Sequence, residues 1–283
     1  MKINIGKSAG FCLGVRRAIN IALDIARQNL AVYMLGDIVH NEDVVRDIQK
    51  AGIKKIKKLT TAQNKTLLIR AHGAGKETFK RARRLGYKII DATCPMVKGI
   101  HKIARDMEKK GYKIIIIGDK DHDEVKGIAG DLKKKAIIID NLRSITLNKI
   151  KKIKKAAAVV QSTQDLEKVL KIIDCLLKFI PNLKFFNTIC KPTRTKQQEI
   201  RKMPLENDVM IIIGSKNSAN TKRLYEISKS LNKRSYWINS RQELKKRWLD
   251  NAKSVGIAAG ASTPQTAIQD VVNYIKNLNL GCN

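Results

Sequence analysis

The sequence predicts an α/β protein built as three repeats of a parallel-sheet unit. Three observations carry that reading. First, Cys12 is followed 24 residues later by Gly36 and 28 residues later by His40. Cys94 stands at the same offsets from Gly118 and His122, and Cys190 from Gly214 and Ser218. Second, each glycine closes an apolar run, at 31–35, 112–117 and 208–213. Third, another apolar run leads into each cysteine, at 3–5, 87–90 and 183–186. Self-similarity at fixed offsets marks repeated architecture.

Taken in order along the chain, each third has the same parts. The apolar run before the cysteine is a strand, and helical spacing follows it at 14–27, 97–110 and 195–201. The strand closed by glycine opens a polar loop: Gly36-Asp-Ile-Val-His40, Gly118-Asp-Lys-Asp-His122 or Gly214-Ser-Lys-Asn-Ser218. A further strand ends in a small or polar loop, at 67–73, 157–163 and 255–262. Strands alternating with helices imply parallel sheets with right-handed crossovers. In such sheets ligands bind beyond the carboxyl ends of the strands, where these polar loops lie. The thirds divide as 1–94, 95–189 and 190–283, with residues 1–13 free to pack against the last third. The equal offsets lead us to expect Cys12, Cys94, Cys190, His40, His122 and Ser218 around one centre.

Composition narrows the function. Lys and Arg number 57 against 25 Asp and Glu, a formal charge of +32. The lysine runs, such as 54–58, 133–135 and 149–155, are spread over all thirds. Aromatics are only 5% of the chain, leaving few stacking platforms for single-stranded nucleic acid. The charge therefore predicts solvated surfaces, an anionic substrate and an acidic partner attracted by steering, with no specific nucleic acid. No apolar run is long enough for a membrane span, and the first residues lack the apolar core of a leader peptide. A cytoplasmic location follows as the expectation.

In that compartment the five cysteines are read as thiols rather than disulfides. Cys175 sits among apolar residues at helical spacing and reads as a buried core thiol; Cys282 reads as a mobile non-ligand. Cys12, Cys94 and Cys190 each stand between a strand and a helix, where a helix N-terminus favours the thiolate. Their wide separation excludes a local Cys-x-x-Cys metal loop. Zinc with a histidine and an iron–sulfur cube both remain open on spacing alone. A three-cysteine set favours the cube, with its fourth iron open to substrate.

The motifs Gly10-Phe-Cys-Leu-Gly-Val-Arg-Arg-Ala18, Ile38-Val-His-Asn41, Arg70-Ala-His-Gly73, Asp91-Ala-Thr-Cys-Pro95, His122-Asp-Glu-Val125, Gln161-Ser-Thr163, Thr188-Ile-Cys190, Gly214-Ser-Lys-Asn-Ser-Ala-Asn220 and Gly260-Ala-Ser-Thr-Pro264 occur in that order. Together they resemble the 4-hydroxy-3-methylbut-2-enyl diphosphate reductases over residues 2 to about 275. The resemblance implies a pseudo-threefold trefoil of three α/β domains around a central [4Fe-4S] cluster. It implies Cys12, Cys94 and Cys190 as cluster ligands. It implies His40, His72, His122, Ser218, Asn220 and Ser262 as diphosphate contacts, with Ala219 at a position where the family often has a second serine. It implies Glu124 as the acid near the substrate hydroxyl and Thr163 as its relay partner.

The implied reaction removes an allylic hydroxyl reductively, giving isopentenyl and dimethylallyl diphosphate with electrons from a ferredoxin or flavodoxin. Asp123 in place of a usual proline, and Lys196 and Gln265 in place of a common Arg and Glu, put loop stiffness and substrate affinity in question. Read without the resemblance, Glu124 is a partner for surface lysines before it is a catalytic acid, Thr163 and Ser262 are helix caps, and His101 is structural or exposed. Two other classes stay open: a quinolinate-synthase-like enzyme with an open iron, and a basic RNA-binding protein with a structural metal.

Overall fold

The computed structural model describes residues 1–28 and 31–280. The first elements are β1 (Lys2–Ile5), α1 (Leu13–Ala26), β2 (Val32–Leu35), α2 (Glu42–Lys50), β3 (Lys54–Ile56), β4 (Thr66–Ile69), α3 (Lys76–Arg84) and β5 (Lys88–Asp91). Next come α4 (Pro95–Lys109), β6 (Lys113–Ile117), α5 (Asp123–Ala129), β7 (Ile137–Ile139), α6 (Leu147–Ile150), β8 (Lys155–Val160), α7 (Leu166–Leu177) and β9 (Asn182–Phe186). The chain continues through α8 (Lys191–Ile200), α9 (Met203–Glu206), β10 (Val209–Ile213), α10 (Ala219–Leu231), β11 (Ser235–Ile238), β12 (Ser254–Ala259) and α11 (Gln265–Leu280).

The strands form three parallel sheets of four, ordered β3-β2-β4-β5, β7-β6-β8-β9 and β11-β10-β12-β1. In each sheet the strand closed by glycine and the later polar-ended strand are central. The strand that leads into a cysteine is at the edge. β1 pairs with β12 in the register Lys2↔Ser254 to Ile5↔Ile257. The repeat is therefore cyclically shifted: the sheet containing the last strands takes its edge from the first.

Burial on both faces explains the nearly unbroken apolar runs of the central strands. In the second sheet Ile115, Ile117, Ala156, Ala158 and Val160 share one core with Val169, Ile172, Ile173 and Leu176 of α7. The alternate residues Ile114, Ile116, Ala157 and Val159 share another with Ile100 and Ala104 of α4 and Val125 and Ile128 of α5. The same period of two divides Val209, Ile211 and Ile213 from Met210 and Ile212 in the third sheet. Each fully buried Ile contributes about 1.5–3 kcal/mol. The lysines that looked like solvated faces include Lys54 and Lys55 on the edge strand β3, where charge discourages strand addition.

The contacts divide the chain into two compact units. One contains residues 1–15, 40–44 and the chain from Lys191 onward; the other contains 16–39 and 45–190. The first holds the β11-β10-β12-β1 sheet and the second holds the other two.

Several local expectations need correction. α8 starts at Lys191, directly after Cys190, four residues earlier than the spacing suggested. Thr163 does not cap α7; Asp165 does, its carboxylate accepting from Lys168 N at 3.0 Å. An aspartate one residue from the helix offers a stronger acceptor than a hydroxyl three residues away. The Ser262 hydroxyl donates to His40 O at 2.9 Å. Cys175 is half-buried on α7 rather than enclosed. Cys282 lies outside the described residues.

Candidate functional site

Equivalent backbone contacts fix the three cysteines. Cys94 N donates to Ala71 O at 2.9 Å, Cys190 N to Ser162 O at 3.1 Å and Cys12 N to Ala261 O at 3.1 Å. Each acceptor lies two residues beyond the end of β4, β8 or β12. None of the three is in a disulfide, and each is half-buried. Each is followed immediately by a helix: Leu13 opens α1, Pro95 opens α4 and Lys191 opens α8. Proline suits that first helical position because its missing N–H would have had no partner there. A cysteine at a helix N-terminus is the kind of sulfur donor that an iron–sulfur cluster takes.

Two of the three approaches share a further device. Asp91, three residues before Cys94, accepts from Thr93 N at 2.9 Å and from the Thr93 hydroxyl. Asn187, three residues before Cys190, accepts from Ile189 N at 3.3 Å. Burial pushes the Asp91 carboxyl up, but Lys98 at 2.6 Å and Thr93 outweigh it and hold the group below its ordinary value.

In the unit containing residues 16–39 and 45–190, the acid has a defined setting. Glu124 is 1% exposed in the first turn of α5. Ser162 donates to it from backbone N at 2.6 Å and from Oγ at 2.7 Å. Burial drives the Glu124 carboxyl upward, over the opposing pull of the two Ser162 hydrogen bonds and of His101. It is a buried, protonatable acid rather than a partner for surface lysines. His122 caps the same helix, its Nδ1 accepting from Glu124 N at 3.2 Å, and its ring stands edge-to-face with His72, centroids 5.5 Å apart. Thr163 Oγ1 accepts from Gln161 Nε2 at 2.9 Å. Ser162 carries three links, two to Glu124 and one to Cys190. It is the residue sequence reasoning passed over in favour of Thr163. Asp123 pairs with Arg70 at 2.6 Å, joining the loop after β4 to α5.

His101 proves buried, with Nδ1 2.8 Å from Asp131 Oδ2. Burial raises Asp131, yet His101 and Arg105 outweigh it and keep the carboxyl low. The only sequence signal for this pair was a histidine on the apolar face of α4.

The other unit holds Cys12, His40, Ser218, Ala219, Asn220 and Ser262. Ser218 caps α10, accepting from Thr221 N at 3.3 Å. Asn220, 4% exposed, accepts from Ala261 N at 3.1 Å, while its buried Nδ2 has no hydrogen-bond partner among the described residues. A spare amide donor at a helix N-terminus suits a bound anion. Ala219, also buried, opens α10 and offers backbone N–H where a serine would add a hydroxyl. Ser215 and Asn217 both donate to Glu42 Oε1, at 2.9 and 2.8 Å, bracing the loop after β10. Lys196 is 4% exposed, and burial pulls its ammonium down to about 8 against the opposing influence of Cys12 and Glu199.

Comparison with known proteins gives consistent relatives. A 4-hydroxy-3-methylbut-2-enyl diphosphate reductase of Campylobacter fetus subsp. fetus (strain 82-40) is 40% identical over 280 residues, 98% of each chain. The solved structure of an (E)-4-hydroxy-3-methyl-but-2-enyl diphosphate reductase, the terminal enzyme of the non-mevalonate pathway, is 37% identical. It covers 98% of this chain and 100% of its own, with a TM-score of 0.72. The E-1-hydroxy-2-methyl-but-2-enyl-4-diphosphate reductase from Plasmodium falciparum is 28% identical, covers 98% of this chain and 88% of its own, and reaches 0.91. With a match to the family described as LytB protein running from residue 3 to residue 276, the chain belongs to that family.

Proposed function

We propose that this chain is an oxidoreductase that converts 4-hydroxy-3-methylbut-2-enyl diphosphate to isopentenyl and dimethylallyl diphosphate. Family membership and the relatives' activity support it over the two alternative classes. The observation that carries the mechanism is Ser162, whose N–H and hydroxyl hold Glu124 while its carbonyl takes the Cys190 amide.

The reaction consumes two electrons and two protons and releases water. A [4Fe-4S] cluster on Cys12, Cys94 and Cys190 supplies, when bound, one-electron transfer and an open iron that polarises an oxygen. The chain's own residues do the rest. Glu124, whose hold on its proton burial strengthens, gives that proton to the departing hydroxyl oxygen, which leaves as water rather than hydroxide. Thr163 lies in the same loop as Ser162 and serves as relay. The reduced allylic fragment takes its second proton at either end, which accounts for two products. Ser218, Asn220, Ser262, His40, His72 and His122, with the N–H groups at Ala219, are assigned to the diphosphate. They supply hydroxyl, amide, imidazole and helix-terminal donors. Electrons come from a separate acidic carrier of ferredoxin or flavodoxin type.

The test is turnover of the allylic diphosphate by anaerobically prepared protein with a reduced dye, alongside iron per chain. Cys12→Ser, Cys94→Ser and Cys190→Ser each lose most of the iron, and Cys175→Ser keeps it. Iron-replete protein with no turnover overturns the reaction; full iron in the three serine variants overturns the ligand set.

A further inference from the structure

We propose that Lys196 and Glu199 form a two-ended clamp that positions Cys12 to hold iron. The proposal rests on the cluster reading above. The two residues lie three apart on α8 and so share a face. The Glu199 carboxylate accepts from Lys7 N, from Ser8 N at 3.1 Å and from Ser8 Oγ. The Lys196 ammonium donates to Ser8 O, to Gly10 O at 3.1 Å and to Ala259 O at 3.3 Å. An ammonium has three N–H donors, and three carbonyls take them. The carboxylate binds the N–H side of the loop before Cys12, and the ammonium binds its carbonyl side.

The loop is shaped for this arrangement. A Cβ at Gly6 would lie 2.9 Å from Glu199 Oε2, so a side chain there collides with the clamp. Gly10 adopts φ +97°, a left-handed conformation that other residues rarely take. Cys12 then donates its N–H to Ala261 O, two residues beyond Ala259. One buried ammonium thus ties both sides of the Cys12 contact, the loop and the end of β12.

The other two cysteines need no such clamp. Asp91 and Asn187, three residues before Cys94 and Cys190, hold their own loops by side-chain hydrogen bonds. The matching residue before Cys12 is Ala9, which has no polar side chain. The clamp from α8 replaces the missing local contact. Burying an ammonium is costly unless it is fully hydrogen-bonded, and this one is.

The experiment uses iron-loaded full chains prepared anaerobically: wild type, Glu199→Gln, Lys196→Met, Gly6→Ala and Ser228→Ala. Iron per chain, the rate of iron loss to a ferrous chelator, and the thermal midpoint are measured for each. Ser228→Ala removes a buried Ser228–Ser235 hydrogen bond of 2.8 Å in the same unit and serves as the control for stability. The clamp variants should release iron about tenfold to a hundredfold faster, the range for losing charged hydrogen bonds. Ser228→Ala should release it at the wild-type rate even if its midpoint falls. Gly6→Ala keeps both clamp residues and carries the test if Lys196→Met does not fold. Wild-type release rates in the clamp variants, or release that merely follows the midpoint across all four variants, overturn the proposal. A wild type that takes up no iron overturns the cluster reading itself, and the clamp with it.

Discussion

Glu124 shows how a single environment sets a chemical role. Burial raises its proton affinity, and the two Ser162 donors, which favour the carboxylate, limit the rise. The signs follow. On the proposed mechanism the protonated acid is the active form, so kcat/KM should fall as pH rises through the elevated Glu124 value. Ser162→Ala removes one donor to the carboxylate, raises that value further, and should move the alkaline limb to higher pH. Because the folded pKa is raised, this group's contribution to stability is complete below the ordinary carboxylate value and is lost as pH climbs through the elevated one. Glu124→Gln preserves shape but not the proton, and turnover should fall about a hundredfold to ten-thousandfold in protein with normal iron content. Near-wild-type turnover in that protein would remove Glu124 from the mechanism. Residue type and repeat offset marked Cys12 and His122 in the sequence, whereas Glu124 was singled out only by the family resemblance. Ser162 was not: its importance comes from backbone N–H and C=O directions, which the residue's identity does not encode.

The strand-to-helix junction is the recurring element, and much of it was legible. A strand, a cysteine and a helix recur three times, and the amide contacts from Cys12, Cys94 and Cys190 recur with them. The supports differ from copy to copy and were hidden, since Lys196 and Ser8 are far apart in sequence and adjacent only in the fold. Asp123 illustrates the same limit. It looked like a loss of proline stiffness, but it occupies the first position of α5 and pairs with Arg70, with both side chains partly exposed. Proline is well tolerated at that position, and a partly exposed ion pair contributes about 0–1 kcal/mol. Asp123→Pro should therefore change stability by no more than about 1 kcal/mol and leave the secondary structure unchanged by circular dichroism. A loss several times larger would show that the Arg70 contact braces the loop in a way proline cannot replace.

For the whole chain, the charge of +32 sets long-range behaviour. The rate with an acidic protein donor should fall steeply as salt shortens the Debye length from about 30 Å at 0.01 M to about 8 Å at 0.15 M. The rate with a small uncharged reductant should change little, and equal salt dependence for the two would exclude steering. Composition and periodicity also made the three parallel sheets legible. Strand pairing between the two extremes of the chain was only an open option, because apolar pattern does not name a strand's neighbour. That pairing has a consequence in time. During synthesis β1 emerges first and its partner β12 is the last strand made. The β2–β5 and β6–β9 sheets contain only nearby segments and can close while the ribosome is still at work. The sheet carrying Cys12 must wait for translation to reach β12. Contacts between distant segments form slowly, so the Cys12 junction is the last of the three cysteine junctions to mature.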